Sequence, residues 1–162
     1  MAAFMQMKGI EGEATDKGHD KWILIESMSS AIHRSVTDGA RDMERVRGRT
    51  TTADVVVVRQ LDKSSTKLME ACANGTFYSE VEIHFCTTVQ DKQEPYLKYK
   101  LHDVIVTSYG FHGNADSQPR PSEEVTLGYT KVEWEYVQIN AKTGKKEGSV
   151  PASYDPGKGS AK

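Results

Sequence analysis

The groups in this 162-residue chain that could carry chemistry are few and scattered. Its histidines are His19, His33, His84, His102 and His112, and none sits in a recognisable catalytic motif. His84 and Cys86 lie two positions apart on one strand face and offer two potential metal ligands, but a structural zinc takes four ligands and no second pair follows at ligand spacing. There is no Gly-x-Ser-x-Gly turn, no phosphate-cradling glycine loop and no activated-cysteine signature. Glu13, Asp16 and His19 share one short polar segment and have the types needed for acid and base work. Side chains of this kind more often bond locally and order a loop. The chain is therefore expected to have no catalytic residue, no metal and no cofactor.

Two further groups of residues point to contact surfaces. Arg41, Arg45, Arg47 and Arg49 could each meet a phosphate, yet Asp42 and Glu44 are interleaved and no aromatic residue stands ready to stack on bases. A solvated or partner-contacting arm fits this pattern better than a nucleic-acid surface. Ser27, Ser29 and Ala31 share a strand face that is small and polar, whereas Met28 and Ile32 on the other parity are expected in the core. A face packed into protein would leave such hydroxyls without partners, so this one is expected to border an open space.

The elements that must position these residues are strands around one helix. Asp62, Ser64 or Ser65 can cap a helix of about residues 64–74, and Asn74-Gly75 offers the left-handed residue that ends it. Leu68, Met69, Ala71 and Cys72 form its apolar stripe. Strands are expected over Phe4–Ile10, Trp22–His33, Thr51–Leu61, Ser79–Val89, Tyr96–Phe111 and Glu124–Ile139. The run Val55–Val58 suggests burial on both faces, and a parity switch near Thr130 suggests a bulge. Gly9 and Gly12 suggest a bulge or close backbone approach. Residues 34–50 have no usable period and read as a long extended loop. Strands this long argue for closure, giving a mainly β chain folded as an antiparallel β-barrel with one flanking α-helix.

Composition places all of this in a single domain of about residues 1–140, followed by a mobile, lysine-bearing tail over 141–162. A hydrophobic share of 37% and a net charge of −2 give no general pull toward nucleic acid or anionic membrane. Cys72 and Cys86 read as small buried groups and not as a disulfide framework. The N-terminus lacks the pattern of a secretory signal, and no run approaches the length needed to span a bilayer.

The order and spacing of several stretches resemble the Hcp (haemolysin co-regulated protein) family of type VI secretion systems. They are Lys8-Gly-Ile-Glu-Gly-Glu13 with Asp16 and His19, then Ser27-Met-Ser-Ser30, then Asp62 through Gly75, then Lys98 through Val106, and finally Glu124 through Tyr129 with Val132 through Tyr136. The resemblance implies a structural tube subunit: six copies closing into a homo-hexameric ring, and rings stacking into a tube. Its partners would be the spike, sheath and baseplate proteins of the secretion system and the effector proteins carried in the lumen. It implies synthesis in the cytoplasm and export without a signal peptide, with Ser27, Ser29 and Ala31 on the lumen wall and Arg41, Arg45, Arg47 and Arg49 in a ring-stacking loop. The alternatives are a barrel module that binds a small ligand in an apolar interior, or one that binds nucleic acid with steep salt dependence.

Overall fold

The computed structural model describes residues 1–35, 49–114, 120–140, 142–157 and 160–161. Its strands in chain order are β1 (Ala2–Met7), β2 (Ile23–Ile25), β3 (Ser27–Ser29), β4 (Ile32–Arg34), β5 (Thr50–Thr52) and β6 (Val55–Gln60). After the helix α1 (Ser65–Asn74) come β7 (Phe77–Val89), β8 (Lys92–His112), β9 (Ser122–Gly128), β10 (Lys131–Ile139), β11 (Lys146–Asp155) and β12 (Ser160–Ala161). No helix among the described residues is long and apolar enough to cross a membrane.

All pairings are antiparallel, and they close on themselves. β1 pairs β7, β7 pairs β8, β8 pairs β9 and β9 pairs β6. The circuit is completed by one segment with two partners: β2 pairs β1, and after Glu26 the continuation β3 pairs β6. At the switch the Glu26 N–H donates to the Val58 carbonyl at 2.9 Å. The expected strand 22–33 is thus real as a path but changes neighbours along its length. The barrel interior is filled by Met5, Val55, Val57, Leu68, Ile83, Leu101 and Leu127, all with 0% of their surface exposed.

β8 serves two sheets because it bends at Asp103, whose φ of 52° interrupts the alternation so that Leu101 and Val104 both face inward. Opposite the bend the chain breaks between β9 and β10, where the Thr130 N–H donates to the His102 carbonyl at 3.0 Å and its hydroxyl to Asp103 at 2.7 Å. The parity switch expected near Thr130 is therefore a full change of partner: β9 lies on the C-terminal half of β8 and β10 on its N-terminal half. β10 in turn carries β11, so the barrel has a flat extension.

α1 packs on β8 through Leu68 and Ala71, while Met69, expected in the stripe, is 38% exposed. Gly75 ends it at φ 62°, and the Gly75 N–H donates to the Ala71 carbonyl. Of the three capping candidates Asp62 accepts the Ser64 N–H at 2.8 Å and Ser65 Oγ accepts the Asp62 N–H at 3.0 Å, while Ser64 makes no side-chain cap bond. Its hydroxyl instead takes part in a buried network: it receives Arg59 Nη1 at 2.6 Å, and Arg59 also pairs with Glu123 at 2.8 Å and with Asp62. The Tyr109 hydroxyl donates to Glu123 from the far side. Gly12 is required by close approach, since a Cβ there would lie 2.3 Å from the Trp22 carbonyl oxygen.

Three expectations are corrected. Val56 and Val58 are only half-buried, so β6 is packed on one face. Ile32 is 49% exposed, because the chain has left the barrel wall by β4 and pairs there only with β5. The stretch from Ala141, expected as a mobile tail, contains β11, paired to β10 from Lys146 to Tyr154.

Candidate functional site

The sequence-derived site residues fall into three places. Arg41, Arg45 and Arg47 lie outside the described residues. Arg49 is exposed at the base of the arm, where its N–H donates to Ser35 Oγ at 3.0 Å and its carbonyl accepts the Ser35 N–H at 2.9 Å. The described residues on either side of 36–48 pair as β4 and β5.

Ser27 and Ser29 are exposed on β3, and Ala31 lies beyond the end of that strand, half-buried, with its carbonyl accepting the Ala53 N–H at 2.9 Å. The register extends the small face well past these residues. Ser29 lies opposite Val56, Val56 opposite Thr126, and Thr126 opposite Ser108. The next row runs Ser27, Val58, Glu124 and Gly110. Directly opposed residues point to the same side of a sheet, so β3, β6, β9 and β8 present one wall outside the barrel that is short-chained except at Glu124.

The third place was not foreseen from the sequence. Cross-strand registers carry the apolar face of the barrel core outward onto the extension. One row runs Ile23, Met5, Ile83, Tyr99, Trp134 and Ala152, and another runs Ile25, Ala3, Phe85, Leu97, Tyr136 and Val150. Burial decays along both rows: Met5 and Ile83 are 0% exposed, Tyr136 is 51% and Val150 is 69%. Tyr99 and Trp134 meet edge to face at 6.4 Å halfway along. Among the described residues Tyr136 and Val150 at the outer end stay exposed. The two rows thus end in a contiguous apolar patch at the edge of the extension.

The opposite side of the extension is charged. A groove of about 620 Å³ is floored by Glu82, His84, Lys98, Lys100, Glu133 and Glu135. Lys98 bonds Glu135 at 2.9 Å, Lys100 reaches Glu80 and Glu82 at 3.3 and 3.2 Å, and Lys131 pairs with Glu133. The hydrogen bond from Lys131 lowers the Glu133 carboxyl, the one from Lys98 lowers Glu135, and the one that Lys100 donates to Glu82 raises Lys100. Ladders of opposite charge across strands hold register and keep this face wetted.

Beneath the groove sit the loop residues first weighed as acid and base. His19 is 3% exposed, stacked on Phe4 at 4.4 Å. Its Nδ1 is 2.9 Å from Asp16 Oδ2 and its Nε2 is 2.9 Å from His84 Nδ1, while His84 Nε2 lies 3.4 Å from Glu82. Cys86 Sγ is 3.8 Å from His19 Nε2, and burial pushes its thiol up to about 11, so it is a neutral packing group. Glu13 has left this cluster and binds Arg120 at 3.0 Å and the Lys63 N–H at 3.2 Å. Asp16 also accepts the Gly18 N–H at 3.1 Å, so this loop is ordered by its own side chains. Among the described residues no group of three or more His, Cys, Asp or Glu side chains is arranged to hold a metal ion.

A family profile described as "Type VI secretion system effector, Hcp" matches residues 4–136. The chain is 28% identical over 147 residues to Protein hcp1 of Pseudomonas aeruginosa, covering 91% of this chain and 90% of that one. A solved structure described as that of a type six secretion system protein superposes with a TM-score of 0.91 at 27% identity, covering 99% of both chains. Hcp1 from Salmonella typhimurium shares the fold with a TM-score of 0.79 at 24% identity, over 99% of this chain and 98% of its own. With a barrel, an apolar extension and a matched profile over most of its length, this chain belongs to the Hcp family of type VI secretion system proteins.

Proposed function

We propose that this protein is the tube subunit of a type VI secretion system, closing into homo-hexameric rings that stack end to end and leave the cell with the tube. The observation that carries the reading is the uncovered apolar end of the extension at Leu97, Trp134, Tyr136 and Val150. In a ring this face lies against the next subunit, a heterologous contact that repeats around the axis until it closes. The wall of Ser27, Ser29, Val56, Ser108 and Thr126 faces the lumen, where short side chains keep the channel wide and hydroxyls are free to meet effector proteins. The arm that starts at the β4–β5 hairpin reaches the adjacent ring, with Arg41, Arg45, Arg47 and Arg49 as its stacking charges. Spike, sheath and baseplate proteins are the remaining partners. The family relationship and the surface geometry support this reading over a ligand-binding barrel, whose interior would need to be empty.

Light scattering is expected to give about six times the 18.0 kDa chain mass. The double variant Tyr136→Glu, Val150→Glu places two carboxylates on the docking face and is expected to give a folded monomer with an unchanged circular dichroism spectrum. A variant that keeps the ring mass would place the subunit contact elsewhere.

A further inference from the structure

The row of residues that ends in the apolar patch has a second end. From Val150 it runs through Tyr136, Leu97, Phe85 and Ala3 to Ile25 on β2, at the opposite border of the same sheet. There the chain leaves β1 for β6: β2 pairs with β1, and from Ser27 onward β3 pairs with β6. Between β2 and the end of β6 lies a cleft of about 380 Å³, lined by Ala2, Leu24, Ile25 and Leu61 and by buried Arg59. Leu24 is 46% exposed. Arg59 Nε has no hydrogen-bond partner among the described residues. An occupant that brings both apolar side chains and an oxygen acceptor satisfies this lining.

Charge narrows the choice of occupant. One step along the strand from Ile25 stands Glu26, which is exposed, accepts from Gln60 at 2.8 Å and makes no ion pair among the described residues. The other charges lining the cleft answer each other, Glu13 with Arg120 and Asp62 with Arg59. From Val150 the registers lead in that same direction past Ser149 and Gly148 to the turn between β10 and β11. That turn carries Lys142 and Lys145, both exposed and without an ion pair among the described residues. Lys146 reaches Glu94 at 3.7 Å, and Glu147 is held by Gln138 and Asn140. Each border of the sheet is therefore apolar in the same row, with an unpaired carboxylate beside one and unpaired ammonium groups beside the other.

We propose that the cleft between β2 and β6 receives the β10–β11 end of a second copy of this chain, with Tyr136 and Val150 against Leu24 and Ile25, and Lys142 and Lys145 beside Glu26. The inference rests on the ring reading above and supplies its other half, because a heterologous contact needs two different, complementary surfaces on one chain. Surfaces at opposite borders of one sheet let each copy give with one border and receive with the other. Tyr136 also brings a hydroxyl oxygen that can accept from Arg59 Nε.

The test uses full-length chains, light scattering and crosslinking. The double variant Leu24→Arg, Glu26→Lys puts two cations on the receiving border at exposed positions. It is expected to keep the wild-type circular dichroism spectrum while falling from ring mass to the 18.0 kDa monomer. A variant that keeps the ring mass gives the cleft to another occupant and overturns the contact. The second measurement leaves the ring intact: Leu24→Cys with Val150→Cys in a Cys72→Ala background, treated with a bismaleimide. It is expected to give a denatured ladder from dimer to hexamer, which neither single-cysteine chain gives. Rings that yield no ladder, or a ladder of equal strength from either single-cysteine chain, overturn the contact while the ring reading stands. A wild-type chain that scatters as a monomer overturns the ring reading and this contact together, so the wild-type mass separates the two failures.

Discussion

Arg59 shows what a single residue does for this fold. With 1% of its surface exposed, it pairs with Glu123 across β6 and β9 and bonds Ser64 at the foot of α1. Asp62 beside it is pushed up by burial but pulled below its usual range by Ser64 and Arg59 together. Arg59→Met is expected to strand Glu123 as a buried, unpaired carboxylate at a cost of about 3–5 kcal/mol, read as a lower urea midpoint. Converting Glu123 to Gln as well should recover much of the loss. His84 makes stability depend on pH. Its ring titrates near 6.5 when unfolded and at about 4 when folded, so the fold keeps its full stability above about pH 6.5. As pH falls toward 4 the unfolded chain gains protons that the folded ring refuses, so stability is lost across that window. Urea titrations between these limits should show a shallower pH slope in His84→Gln. Ser27 and Ser29 were legible in the sequence because their parity set them apart from Met28. The His19–His84 contact was not, since the two residues are 65 positions apart and only the pairing of β1 with β7 brings them together.

Among the elements, α1 was legible because Leu68, Ala71 and Gly75 each do what their type and position require. Leu68→Ala opens a cavity beneath the helix and is expected to cost about 2–5 kcal/mol, whereas exposed Met69→Ala should stay within about 0.5 kcal/mol. Thermal melts of the two variants would separate them, and equal losses would mean that the stripe is misassigned. The break at Thr130 could be read from the change of parity. β11 could not, because Gly148, Ser149, Ala152 and Ser153 show no alternation and Lys146 to Ala152 are all exposed; backbone pairing to β10 alone makes it a strand. The four valines misled for a related reason: a run of one residue type carries no period, and the outward pair lies on the open wall.

At the scale of the whole molecule, what matters is which surface meets which neighbour, and that information lies in registers no linear pattern displays. Tyr136 and Val150 are unremarkable in their own segments; they become one apolar patch only when β8, β10 and β11 align them with the core. Ser29→Gln is expected to leave ring mass and melting temperature near wild type while lowering recovery of a co-expressed effector. Loss of the ring in this variant would move Ser29 to a subunit contact, and unchanged effector recovery would remove the wall from cargo binding. The closing of the barrel by the β2–β3 segment also bears on the order of biosynthesis. Every pairing in that circuit lies within residues 2–128, and the two most exposed members of the docking face, Tyr136 and Val150, come later in the chain. A nascent chain leaving the ribosome can therefore close the barrel circuit before Tyr136 and Val150 emerge. On the proposed ring assembly, that order holds back association between half-finished copies on crowded polysomes until the barrel has closed.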